Sequence, residues 1–193
     1  LPTGLRWLDV GCGNGAFTEE LIARCAPAAV AAIDPSEGQI AYARTRTGAA
    51  LADFRTGDAQ ALPFTDNNFD VAVMALAISF VPDPAKAVAE MARVVKPGGA
   101  HVFTAPKHKG LRETRQRATL QDGAIVHLLE AQYHGNPIGD GRALVTWDYG
   151  DDFELYLWRW CHWPTVTYMV RDRQLGLDGE YLEVFVTRKL AIP

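Results

Sequence analysis

The chain of 193 residues contains no apolar run near the about 18 residues that a membrane-spanning helix needs. Its start, LPTGLRWLDV, has no basic segment leading into an apolar signal core. Both absences point to a soluble protein with no membrane partner. Cysteine is scarce: Cys12, Cys25 and Cys161 form an odd, scattered set without metal-ligand spacing, so neither a disulfide nor a zinc site is expected, and the thiols fit a reducing, cytoplasmic compartment. An excess of positive charge is also missing. Lys and Arg number 19 against 23 Asp and Glu, and the net charge of −4 divides as about −3 over residues 1–106 and −1 over the rest. No half carries the basic footprint of a nucleic-acid partner. Internal repeats and low-complexity stretches are absent, as is an initiator Met; with strand-like sequence beginning by Arg6, upstream residues are expected to be missing from this chain.

What is present is 48% apolar and 22% charged residues, enough for the core of one domain. Residues 1–193 read as a single domain, with a cofactor-binding half over 1–106 and a substrate-side, sheet-closing half over 107–193. Residues 5–10 form a short apolar strand, a glycine turn follows, and Phe17, Leu21, Ile22 and Cys25 then recur at helical spacing. AAVAAID is a second buried strand ending at Asp34, and Ser36 is placed to cap the helix that follows. ADFRTGDA and FDVAVMAL supply a third and a fourth strand. DPAKAVAEMARVV is a helix with Asp83 at its N-cap and Pro84 at its first position, broken by KPGG before a fifth strand, AHVFTA. Alternation of this kind predicts an α/β fold, doubly wound and Rossmann-like, built on a mostly parallel sheet. The spacing predicts helix through ETRQRATLQDGAIVHLLEAQ, interrupted at Gly123, a loop over GNPIGDGRAL, and a further helix in DDFELYLWRWCHW. TVTYMVRD and YLEVFVTRKLAI alternate at period two around LGLDG, a C-terminal antiparallel hairpin that brings the sheet to seven strands.

LDVGCGNGAF matches the dinucleotide pattern G-x-G-x-x-G/A through Gly11, Gly13 and Ala16, with Asp34 about 20 residues on where a ribose-binding carboxylate belongs. An NAD-dependent oxidoreductase therefore stands as one reading. Asp9 argues for another cofactor: a carboxylate just before the glycines would meet a pyrophosphate unfavourably and an ammonium favourably. Gly15 would keep the turn bare beside a ligand. Downstream, GDAQALPF places Asp58 at the rim of the third strand, where it could accept from an adenine amino group while the Ala59 amide meets a ring nitrogen.

WLDVGCGNGAF, IDPSEGQIAYAR, GDAQALPF, FDVAV and EMARVVKPGG, in this order and spacing, resemble the successive motifs of class I S-adenosylmethionine-dependent methyltransferases over residues 5–105. The resemblance implies S-adenosylmethionine as cofactor and methyl transfer to a small-molecule acceptor, with S-adenosylhomocysteine released. It places Asp9, Gly11 and Gly13 at the methionine part, Asp34 at the ribose hydroxyls, Gln39 beside the adenine, and Asp58 with Ala59 at its edge. Ala75 offers backbone to the methionine amino group, and Cys12 and Pro35 complete the cofactor-binding set. Relatives carry histidine after the fourth strand; here AISFVPDP has Ser79 and Phe80, so no catalytic base is assigned. A non-catalytic module of this fold is the third reading.

Methyl transfer from a sulfonium needs chiefly that the acceptor be held close to the methyl group. His101, His108, His127, His134 and His162 are the candidate bases, and His101, placed near the start of the fifth strand, is the weakest. Trp147, Trp158, Trp160 and Trp163, with Tyr149, Phe153 and Tyr156, read either as the lining of a pocket for an aromatic or apolar acceptor or as a helix packing its aromatic face on the sheet. KHKGLRETRQR reads either as an anion-binding rim or as a solvated helix face. Cys12 is a small filler in the turn, with no base to activate it.

Overall fold

A computed structural model describes residues 2–135, 141–179 and 182–191. Residues 136–140 of the expected loop and the two end positions, 181 and 192, of the expected last strand lie outside these. The first half alternates as read: β1 (Arg6–Val10), α1 (Ala16–Cys25), β2 (Ala29–Asp34), α2 (Glu37–Ala43), β3 (Ala52–Thr56), β4 (Phe69–Met74), α3 (Pro84–Val94) and β5 (Val95–Phe103). Local chemistry sets the helix starts. Ser36 accepts from the Gln39 amide at 3.3 Å and Asp83 from the Lys86 amide at 3.0 Å, each at a cap position, with Pro84 opening α3. KPGG does not separate helix from strand as expected. It lies inside β5, where the register with β4 shifts between Phe69 and Val71.

Beyond β5 follow β6 (Arg115–Gln116), β7 (Ala118–Gln121), β8 (Ala124–His127), β9 (Tyr133–Gly135), β10 (Arg142–Leu144), β11 (Trp147–Asp148), α4 (Phe153–Cys161), β12 (Thr165–Met169) and β13 (Glu183–Arg188). The central sheet runs β12-β13-β5-β4-β1-β2-β3, parallel from β5 to β3, with β13 antiparallel to β5 and β12 antiparallel to β13. This is the doubly wound, mostly parallel seven-stranded sheet with a C-terminal antiparallel hairpin. Helices α3 and α4 bury Met91, Phe153 and Leu157 with Leu8, Met74, Phe103 and Phe185. On other clusters, α1 and α2 bury Leu21 with Val30, and Ile40 with Phe54.

The helix expected over residues 113–132 is not formed. Asp122 and Gly123 both take positive φ, 51° and 79°, and turn β7 back onto β8, with Leu120 opposite Ile125 and Thr119 opposite Val126. An Asp-Gly pair between β-branched stretches is a hairpin signal that outweighs helical spacing. Likewise β6 pairs with β11 and β9 with β10.

Candidate active site

A cavity of about 560 Å³ opens along the carboxyl ends of β1, β2, β3 and β4, where the strand order reverses about β1. Seven of the residues singled out in the sequence line it: Gly11, Asp34, Pro35, Gln39, Asp58, Ala59 and Ala75. The structure brings them together because each follows or ends a parallel strand. Asp34 is the organising group. Its Oδ2 accepts from the Gly13 amide at 3.0 Å and its Oδ1 from the Ser36 amide at 2.9 Å, so the carboxylate holds the glycine turn against the start of α2 while each oxygen keeps further accepting capacity.

Asp9, Cys12 and Gly13 are not among the cavity's lining. Asp9 is buried, with its Oδ2 accepting from the Thr18 hydroxyl at 2.6 Å, and burial and the Asp34 charge raise its carboxyl to about 6 against the Thr18 bond. Its side chain turns inward to Thr18 instead of lining the cavity. Cys12 packs beside Ala32, Ile40 and Phe54, and burial, with the nearby Asp9 and Asp34 charges, pushes its thiol far up, which fits a filler. Packing requires the bare position at Gly15: at φ 78° a Cβ there would stand 3.0 Å from Ala43 Cβ and 3.2 Å from the Phe54 ring. Gly11, at φ 73°, would drive a Cβ to 2.5 Å from Ala77 Cβ.

Sequence reasoning missed Gln60. Its amide nitrogen reaches both Asp58 oxygens at 3.1 Å while its Oε1 accepts from the Asp83 amide at 3.1 Å, tying the β3 rim to the start of α3. The same loop is clamped by Arg93, which donates to the Leu62 and Phe64 carbonyls and to Glu90. Also missed were Leu120, Gly135 and Ala143, which reach the cavity from the second half. No local pattern could have found them, since their nearness depends on how the hairpins fold back.

Of the candidate bases, His101 is the third residue from the end of β5, not near its start, and is buried against Phe103; burial lowers it to about 3, so it stays neutral. His134 stands edge-on to Phe80, a cavity wall, with ring centroids 5.8 Å apart. His108 faces Asp148 at 3.7 Å and His162 ends α4 beside Trp158. The aromatic group divides: Tyr149 and Phe153 are core, with Phe153 meeting Phe103, Trp160 and Phe185, whereas Trp147, which meets Tyr156 and Trp160, lines a space beside the cavity together with Trp160, and Trp158 is exposed. The basic segment is not a helix face. Lys107 pairs with Glu154, and Arg117 with Asp148 and the Glu130 carbonyl.

The family model described as "Methyltransferase domain" matches residues 8–103. The chain belongs to the class I S-adenosylmethionine-dependent methyltransferases. Within this family it is 41% identical over 105 residues to the demethylmenaquinone methyltransferase of Renibacterium salmoninarum, covering 54% of this chain and 43% of that protein. It is 37% identical over 101 residues to the fatty-acid O-methyltransferase of Mycolicibacterium smegmatis, covering 52% and 37%. The chain thus spans less than half the length of these two relatives. An S-adenosylmethionine-dependent methyltransferase from Mesorhizobium loti shares the fold with a TM-score of 0.68 over 97% of this chain and 93% of that one, at 21% identity. The family takes S-adenosylmethionine as its cofactor.

The cavity of this methyltransferase-family chain fits that group. Its volume lies in the roughly 300–1,000 Å³ range of ligand pockets. Two carboxylates, Asp34 and Asp58, border it at the ends of neighbouring strands, which suits hydroxyl and amino donors better than a chain of phosphates. Among the described residues no helix is long and apolar enough to cross a membrane.

Proposed function

We propose that this chain transfers a methyl group from S-adenosylmethionine to a small-molecule acceptor, aromatic or apolar in character, in the cytoplasm. The observation that carries the reading is Asp34: a carboxylate fixed at the β2 rim by the Gly13 and Ser36 amides, facing a cavity that Asp58 borders one strand away. When bound, the cofactor supplies a methyl group activated by its sulfonium. Asp34 takes the ribose hydroxyls. Asp58 accepts from the adenine amino group with the Ala59 amide beside it, and Pro35 and Gln39 flank the base. Gly11, Gly13 and Ala75 bring bare backbone to the methionine end, while Asp9 and Cys12 support the turn from behind, Asp9 adding negative charge toward the ammonium.

On the acceptor side, Phe80, Val81 and Pro82 wall the cavity after β4, and Leu120, Gly135 and Ala143 face it from the hairpins. These groups orient an acceptor and exclude water, which is most of what an activated methyl donor requires. Three free thiols support the cytoplasmic assignment. Calorimetry with S-adenosylhomocysteine tests the cofactor assignment. Saturable one-to-one binding is expected, with NADH failing to compete, whereas a folded protein that binds NADH instead overturns it. Binding without turnover across a broad acceptor panel would favour the non-catalytic module.

A further inference from the structure

Phe80 also borders a second, smaller cavity of about 230 Å³, a branch beside the first. Phe80, Pro82 and Leu120 wall both spaces, and Ala118, Ile125 and Leu144 line the smaller one. The chemistry of the branch is one-sided. The Thr146 hydroxyl, which also borders it, is turned away to the Ser79 and Val81 carbonyls, 2.9 Å from each. Ala118 donates its amide to the Thr146 carbonyl, and Ala118 and Thr119 pair with His127 and Val126 in the β7–β8 ladder. Among the described residues no charged side chain lines the branch. A ligand entering it gains apolar contact and meets little that could bind a polar group.

A neighbouring space of about 540 Å³ is mixed in character. It shares Pro82, Thr119 and Leu120 and is bordered by the charged Asp83 and Lys86 as well as by Trp147 and Trp160. Of the two spaces beside the cofactor cavity, only the smaller has no charged side chain among its described lining residues. Leu120 and Ile125 stand directly opposite each other across the β7–β8 ladder and remain 48% and 56% exposed, an apolar pair at the edge of the branch.

We propose that this branch is an apolar subsite that takes the alkyl or aryl portion of the acceptor, with the β7–β8 hairpin selecting which molecules enter. The inference rests on the methyl-transfer reading only in calling that molecule the acceptor. Its binding chemistry stands apart from the cofactor and is read with simple probes.

The fluorescent probe 1-anilinonaphthalene-8-sulfonate is titrated into the protein with and without saturating S-adenosylhomocysteine, and displaced with 1-hexanol, 1-heptanol and 1-octanol. Displacement is expected to strengthen by up to roughly fourfold per added methylene while the chain fits. Ile125→Asp and Leu144→Asp should each weaken octanol by roughly tenfold or more and leave S-adenosylhomocysteine affinity unchanged. Ile125 is exposed, so its variant keeps the test valid even where Leu144→Asp unfolds. No saturable alcohol binding, or equal octanol affinity in the wild type and in Ile125→Asp, overturns the subsite. Alcohol binding without S-adenosylhomocysteine binding would uphold the subsite and bring down the cofactor assignment; the converse pattern does the reverse.

Discussion

The Thr18 hydroxyl, in the first turn of α1, donates to the Asp9 carboxylate at the end of β1 at 2.6 Å, and both side chains are buried. A negative charge is thereby held beneath the helix start, where exposed amides favour an anion. Burial still dominates, and the carboxyl sits at about 6 rather than 3.8. The folded chain holds the Asp9 proton more tightly than the unfolded chain does. The stability contributed by this group is therefore fullest below about pH 4, falls as pH rises to about 6, and is flat above. Asp9→Asn, which keeps an oxygen for Thr18, should be more stable than the wild type by up to about 3 kcal/mol at pH 8, with the gain vanishing near pH 4. Urea unfolding at pH 4, 6 and 8 checks this; a gain independent of pH would rule out the linkage.

His101 carries the opposite slope. Its folded value of about 3 lies below the ordinary 6.5 because of burial. The unfolded chain takes up the proton first, so the wild type loses stability as pH falls from about 6.5 toward 3. His101→Leu removes that loss, and the difference in stability between variant and wild type should move in the variant's favour by about 2 kcal/mol between pH 7.5 and pH 5. Thermal unfolding at the two pH values measures it.

Two glycines of one turn should fail differently. Gly15→Ala places a methyl against Ala43 and Phe54 in a left-handed conformation and should destabilise the fold by about 1–3 kcal/mol. At Gly13, φ 52°, the nearest atom to a Cβ is Gln39 Oε1 at 4.0 Å, so Gly13→Ala should cost less stability and weaken S-adenosylhomocysteine more. Paired melting and calorimetry separate the two; equal profiles would contradict the division of roles.

Asp34→Ala removes the acceptor of the Gly13 and Ser36 amides together with the proposed ribose contacts. S-adenosylhomocysteine affinity should fall by about 1–3 kcal/mol, measured by calorimetry on the folded variant. An unchanged affinity would remove Asp34 from the site.

Lys189 donates to Asn67 Oδ1 at 2.8 Å and to the Ala92 and Val95 carbonyls at 2.9 and 2.8 Å, and lies over the Trp163 ring. It closes the C-terminal end of α3 from the far end of β13. Lys189→Met should leave these acceptors unanswered and cost about 1–3 kcal/mol in chemical denaturation, with cofactor affinity unchanged.

The first hundred residues were legible because their signals are local. Glycines that need positive φ, Ser36 and Asp83 at caps, and Pro84 at a helix start each act on neighbours within a turn, and every parallel strand then delivers its last residue to one rim. Asp34, Asp58 and Ala59 could be named in advance for that reason. Asp9 could be placed at the same rim but not oriented. Whether its carboxylate turned outward to a ligand or inward to Thr18 depended on the packing of α1 against β1, which adjacent letters do not encode.

From residue 107 onward, amino-acid order specified α4 and the closing hairpin, whose periods of 3.6 and 2 are strong, but not the short strands that precede α4. Those strands form because of partners distant in the chain: Arg115 and Gln116 are strands only beside Trp147 and Asp148. For pieces this short, tertiary pairing outweighs local spacing. The apolar branch beside the cofactor cavity exists only in the folded chain, because Phe80, Ala118, Ile125 and Leu144 come from segments that share no local pattern and meet when the hairpins fold over the carboxyl ends of the sheet.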